Sequence, residues 1–168
     1  MPTEKNFAFI DGQNLNLGVK RLGWPLDFRR FRVYLKEKYH VETAYLFIGF
    51  LPENQLLYTR LQEYGYRLVF KVALKKPDGT VKGNVDAELV LQAMIDVDTY
   101  GKAVIVTSDG DFACLVSYLY GKGKVERVIS PHEGTCSVLL RKAAREKIVF
   151  ISNLRKKLEY KGKKKSTA

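Results

Sequence analysis

Asn6-Phe7-Ala8-Phe9-Ile10-Asp11 sets a run of apolar residues directly ahead of an acid. A strand built from such a run needs cover on both faces, as a strand inside a parallel sheet has. The pattern returns at Thr43-Ala44-Tyr45-Leu46-Phe47-Ile48-Gly49, at Arg67-Leu68-Val69-Phe70-Lys71-Val72 and at Ala103-Val104-Ile105-Val106-Thr107. Amphipathic stretches lie between these runs. Phe28, Phe31, Leu35 and Tyr39 recur at helical spacing after the entrance Trp24-Pro25-Leu26-Asp27, and Leu56, Leu57, Leu61 and Tyr64 share a face after Pro52. A helix is expected from Asn84 to about Tyr100, stopped by Gly101. A helix over 111–120, a strand from Val125 to Ile129, a helix from Ser137 to Glu146 and a strand from Ile148 to Ile151 complete the alternation. Strands separated by helices pair in parallel through right-handed crossovers, so the expected fold class is α/β with a mainly parallel central sheet.

The chain of 168 residues suits one domain, and its 46% hydrophobic content, with 10 Tyr, 9 Phe and 1 Trp, excludes disorder of the whole. No apolar run approaches the roughly 18 to 20 residues that span a bilayer. The polar start Pro2-Thr3-Glu4-Lys5-Asn6 has no signal-peptide pattern, and a cytoplasmic location is expected. Cys114 and Cys136 fall in no metal-binding or disulfide spacing and are expected to be buried thiols. The formal charge of +11 favours a polyanionic partner such as nucleic acid. Residues 155–168 carry +6 of that charge and the preceding 154 residues +5. A domain over 1–154 followed by a basic C-terminal tail over 155–168 is therefore expected, the tail either contacting phosphates or serving as a solubilising segment.

Ligands of parallel sheets collect beyond the carboxyl ends of the strands. The first strand ends at Asp11, and the fourth ends at Thr107-Ser108-Asp109-Gly110-Asp111. If those strands are neighbours, three carboxylates meet at one rim, and Asp86, at the start of the helix leading into the fourth strand, is a fourth candidate. Asp96 lies roughly 15 Å further along that helix, too far to share the same site. Glu88 points about 200° around the helix from Asp86 and is the weaker choice. Like charges about 4 Å apart repel by around 4 kcal/mol at an effective dielectric near 20, so such a cluster needs compensation. Mg²⁺ or Mn²⁺ would supply it while also accepting phosphate oxygens, which implies hydrolysis of phosphoryl esters.

Three segments in this order are more specific than any of the acids alone. They are Phe9-Ile10-Asp11-Gly12-Gln13-Asn14, Lys82-Gly83-Asn84-Val85-Asp86 and Val106-Thr107-Ser108-Asp109-Gly110-Asp111-Phe112. Over about residues 5–151 the chain resembles the NYN domain family, PIN-like nucleases related to LabA-type and DUF88 proteins. In that family a strand ends in Asp followed by Asn, a Lys-Gly-Val-Asp-like segment opens a helix, and another strand ends in Ser-Gly-Asp-Ser-Asp-Phe. Here Asn84 is inserted in the second pattern, and Thr107-Ser108 replaces Ser-Gly in the third.

The resemblance implies a PIN-like, Rossmannoid three-layer α/β/α sandwich and a metal-dependent ribonuclease using Mg²⁺ or Mn²⁺. It assigns Asp11, Asp86 and Asp109 to the metal cage, directly or through water, with Asp111 completing it or orienting a water held there. Asn14 would bind substrate, hold Asp11 or cap the following helix. Thr107 and Ser108 would donate to the cage, to phosphate or within their own turn, and Lys82 would approach a phosphate oxygen or remain solvated. Phe112 is expected as a core anchor of the acidic turn. RNA is the expected partner, and a groove shared by two protomers would suit a long substrate. The alternative is a non-catalytic RNA-binding regulatory module of the same fold. A haloacid-dehalogenase-like phosphatase is disfavoured, because Gln13 stands where that family places a second Asp.

Overall fold

The computed structural model describes residues 5–162 except 73, 80 and 83, with the backbone alone for 74, 75, 81 and 82. In chain order the elements are β1 (Asn6–Asp11), α1 (Gly12–Leu22), α2 (Phe28–Tyr39), β2 (Val41–Phe50), α3 (Gln55–Glu63), β3 (Tyr66–Val72), β4 (Leu74–Lys75), β5 (Val81–Lys82), α4 (Asp86–Ile95), β6 (Ala103–Val106), α5 (Ala113–Gly121), β7 (Val125–Ser130), α6 (Val138–Ala144), β8 (Ile148–Phe150) and α7 (Arg155–Leu158). Six strands form one sheet in the order β3-β2-β1-β6-β7-β8, all parallel, while β4 and β5 pair antiparallel as a separate hairpin. The connection of this hairpin turns at Pro77-Asp78-Gly79, residues suited to a turn.

The strand order reverses between β1 and β6, and sheets of this kind open a crevice at that point. Ile10 pairs with Val106, which sets Asp11 and Thr107 side by side at the strand ends. Successive side chains of β1 alternate between two cores. Phe7 and Phe9 pack with Tyr45, Phe47 and Tyr100 under α4, α5 and α6. Ala8 and Ile10 pack under α1, α2, α3 and α7. The alternation sends Asp11, next in step after Phe9, to the α4 side.

Close packing fixes where α1 begins. A Cβ on Gly12 would lie 2.2 Å from Ile48 Cγ2 and 2.7 Å from the Phe47 carbonyl oxygen. Gly12→Ala is expected to lower stability by about 1–3 kcal/mol in chemical denaturation, the usual cost of forcing a backbone apart. A denaturation midpoint equal to wild type would refute the close approach.

Several details differ from the sequence reading. The helix expected to run to Tyr100 stops at Ile95, where the backbone N–H of Asp96 closes it and turns carry the chain to Gly101. The helix expected over Ser137–Glu146 is shorter, with Ser137 as its cap and a single 3-10 turn over Arg145–Lys147. Neither cysteine is a buried thiol: Cys114 is exposed and Cys136 half-buried, because the first turn of α5 presents position 114 to solvent. Beyond residue 154 the chain stays on the body through Tyr160. Leu158 is buried in the α2 core, Leu26 pairs with Glu159, and the Tyr160 N–H donates to the Pro25 carbonyl. Residues 163–168 of the expected tail lie outside the described residues.

Arg32 is buried and has no carboxylate partner among the described residues. Its guanidinium donates to the carbonyls of Gly65, Val41 and Glu42, tying α2 to the starts of β2 and β3. Burial pushes its pKa down from the ordinary arginine value. Among the described residues no helix is long and apolar enough to cross a membrane.

Candidate metal centre

The carboxylates of Asp86, Asp109 and Asp111 each offer an oxygen within 4.8 Å of the others. Asp86 arrives as the first residue of α4, entered by a turn in which Asn84 Oδ1 accepts from the Asp86 N–H at 2.8 Å. Asp109 and Asp111 stand in the turn after β6, where Asp109 Oδ1 accepts from the Asp111 N–H at 2.9 Å and caps the 3-10 turn over Gly110–Phe112. Phe112, fully buried, pins that turn to the α4-side core, as expected.

Asp11 is not in this closest trio. It is buried beneath the rim, accepting from the Asn14 N–H at 3.2 Å and from Thr107 Oγ1 at 3.3 Å. Burial first, and then the negative charges of Asp86 and Asp109, raise its pKa from the ordinary 3.8 to about 6 against the lowering effect of these two hydrogen bonds. Asp86 is also pushed up, first by partial burial and then by Asp109, with Lys71 opposing. Four acids at one strand end therefore hold negative charge against its own repulsion.

The neighbouring polar residues brace the acids. Thr107 Oγ1 donates to Asp11 and accepts from the Asp109 N–H at 3.2 Å, joining both strand ends. Asn14 does not cap α1; Asp11 does. Asn14 Oδ1 instead accepts from the Ser108 N–H at 2.8 Å and from Ser108 Oγ at 2.9 Å, fastening α1 to the acidic turn. Thr107→Val, which keeps the shape and deletes the hydroxyl, is expected to cost about 1–2 kcal/mol by stranding two partners. Equal melting curves for variant and wild type would refute that role.

Lys71 was absent from the sequence candidates. Its Nζ lies 2.7 Å from the Asn84 carbonyl oxygen and 3.2 Å from Glu88, which locks β3 to the entrance of α4. The available signal was a lysine at the carboxyl end of a strand, legible only once β3 and α4 are known to meet. Glu88 pairs with Lys71 and stands outside the trio. The side chain of Lys82 lies outside the described residues.

A parallel sheet with acids gathered where its strand order reverses defines a PIN-like α/β domain. The chain belongs to the NYN domain family, whose model matches residues 7–152. It is 27% identical over 161 residues to the low amplitude and bright protein LabA of Synechococcus elongatus, covering 90% of this chain and 86% of that one. The crystal structure of a protein of unknown function from Vibrio parahaemolyticus superposes with a TM-score of 0.74 at 22% identity, covering 88% of this chain and 93% of that one.

Proposed function

We propose that the chain is a metal-dependent ribonuclease that hydrolyses RNA phosphodiester bonds at the acidic rim. The observation that carries this proposal is the meeting of Asp86, Asp109 and Asp111 above a buried fourth carboxylate. Three hard oxygen donors bearing three negative charges suit Mg²⁺ or Mn²⁺ and suit softer metals poorly. Those three residues would hold the ion, with Asp11 joining directly or through water. A bound divalent ion supplies Lewis acidity and neutralises phosphate charge.

The chain's own groups set the geometry. Thr107 holds Asp11 and the Asp109 backbone in register, and the Asn14–Ser108 bridge keeps the turn closed. Asn14 Oδ1 is engaged by Ser108, while its Nδ2 has no hydrogen-bond partner among the described residues. We assign that N–H group to a non-bridging phosphate oxygen. Asp111, the exposed member of the trio, accepts a hydrogen bond from the attacking water and so orients it. Lys82, two residues beyond the tip side of the hairpin, adds positive charge for the substrate backbone.

Cleavage of a mixed panel of labelled RNAs and single-stranded DNAs, with Mn²⁺, Mg²⁺ or EDTA, tests the proposal. Metal-dependent cutting of RNA is expected. The excess of basic residues supports one competing proposal, a nucleic-acid-binding regulatory module without turnover. Tight RNA binding with no cutting under any metal selects that alternative.

A further inference from the structure

The acids open on the α4–α5 side of the sheet, whereas α2 and α7 cover the other side. Along α2 lies a groove of about 720 Å³ lined by Arg29, Arg30, Lys38 and Lys157 together with Val33, Tyr34, Asp27 and Glu37. Asp27 is engaged twice, accepting from the Arg30 N–H at α2's N-terminus and pairing with the Arg30 guanidinium at 3.6 Å. Arg29, Lys38 and Lys157 are exposed and have no ion-pair partner among the described residues. Burying Leu158 is what brings Lys157 to α2, and the chain continues past Pro25 to Lys161. Behind the groove the Tyr34 and Tyr39 hydroxyls lie 3.2 Å apart, and the Arg127 guanidinium sits over the Tyr39 ring at 5.8 Å.

We infer that the α2–α7 groove is a second docking surface for single-stranded RNA, separate from the acidic rim. This inference rests on the proposal that the chain acts on nucleic acid. Cations lining a groove with an aromatic ring among them are what sequence-tolerant single-strand binding uses, the cations tracking phosphates and the ring meeting a base. The surface is built by the fold, since Lys157 of α7 reaches it only when Leu158 is seated. A strand lying here passes its backbone away from the repelling acids, and only a substrate long enough to reach around the domain engages both places.

The test is fluorescence anisotropy of a labelled single-stranded RNA across a series of KCl concentrations, in EDTA so that no cutting intervenes. The triple variant Arg29→Glu, Lys38→Glu, Lys157→Glu is expected to bind about tenfold or more weakly. Its salt slope should shrink by about 2, three phosphate contacts at about 0.7 each. The triple glutamine variant, which removes charge without reversing it, should shift in the same direction with an unchanged melting curve. Cleavage of a trinucleotide, too short to reach the groove, should match wild type. An unchanged affinity and slope in both variants overturns the inference even if RNA is cut at the rim. Loss of binding to anionic lipid vesicles with RNA binding intact likewise overturns it, assigning the groove to a membrane. Weakened RNA binding by a protein that never cuts keeps the groove and overturns only the ribonuclease proposal.

Discussion

Asp109→Asn is expected to slow metal-dependent RNA cleavage about a thousandfold or more, equivalent to about 4 kcal/mol of lost transition-state stabilisation. The substitution preserves shape. Asparagine retains the side-chain oxygen that accepts from the Asp111 N–H, so the 3-10 turn keeps its cap and Phe112 stays seated. What disappears is one of three negative charges that face a single point. Single-turnover cleavage in Mn²⁺, read beside a thermal melt, separates the two effects: activity should collapse while the metal-free melting temperature holds or rises. Mn²⁺ should stabilise wild type and leave the variant nearly unmoved. A variant that cuts at the wild-type rate would remove Asp109 from the mechanism.

The second large effect has opposite signs in stability and activity. Asp11 has a pKa near 6 in the folded protein and near 3.8 ordinarily, so between these values the folded state binds more protons than the unfolded one. The metal-free protein should therefore lose stability as pH rises from about 4 to about 6, by up to about 3 kcal/mol, and stay at the lower level above that range. Asp11→Asn carries no charge to bury and can still accept from the Asn14 N–H. In EDTA at neutral pH it should melt several degrees above wild type, about 2–4 °C for each kcal/mol. Near pH 4 the gap should close, because the wild-type carboxyl then carries its own proton. RNA cleavage should fall in the same variant. A lower melting temperature for Asp11→Asn at neutral pH would count decisively against a strained buried carboxylate.

The strands that carry the site were legible because their composition leaves one choice. Phe7 to Ile10 and Ala103 to Val106 are apolar on both sides, and only a central position in a parallel sheet covers both. Given adjacency of those strands, the acids of both ends had to meet. The division of labour among the acids was not legible. Asp11 is expected in the cage directly or through water, and its depth is what the structure adds: it lies under the rim as α1's cap, while Asp111 takes the outer place. Sequence spacing gives the side of a sheet on which a residue lies and says little about its depth. Lys71 and Arg32 went unnoticed for another reason. Apart from the Lys71–Glu88 ion pair, their partners are backbone carbonyls of Asn84, Val41, Glu42 and Gly65, and every residue type supplies a carbonyl, so no pattern advertises the pairing. The seating of Leu158 depends on one apolar residue inside a basic run, a cue easily lost in the charge around it.

Asp109 at the rim and Asp11 beneath it are both acids of the site and caps of the helical turns that follow them. Asparagine caps as well as aspartate does. Under the proposed hydrolysis, one transition in either codon would therefore remove turnover while the cap, the fold and the basic surfaces stay in place. On this scaffold turnover and recognition would then be a single inherited step apart, with the architecture common to both.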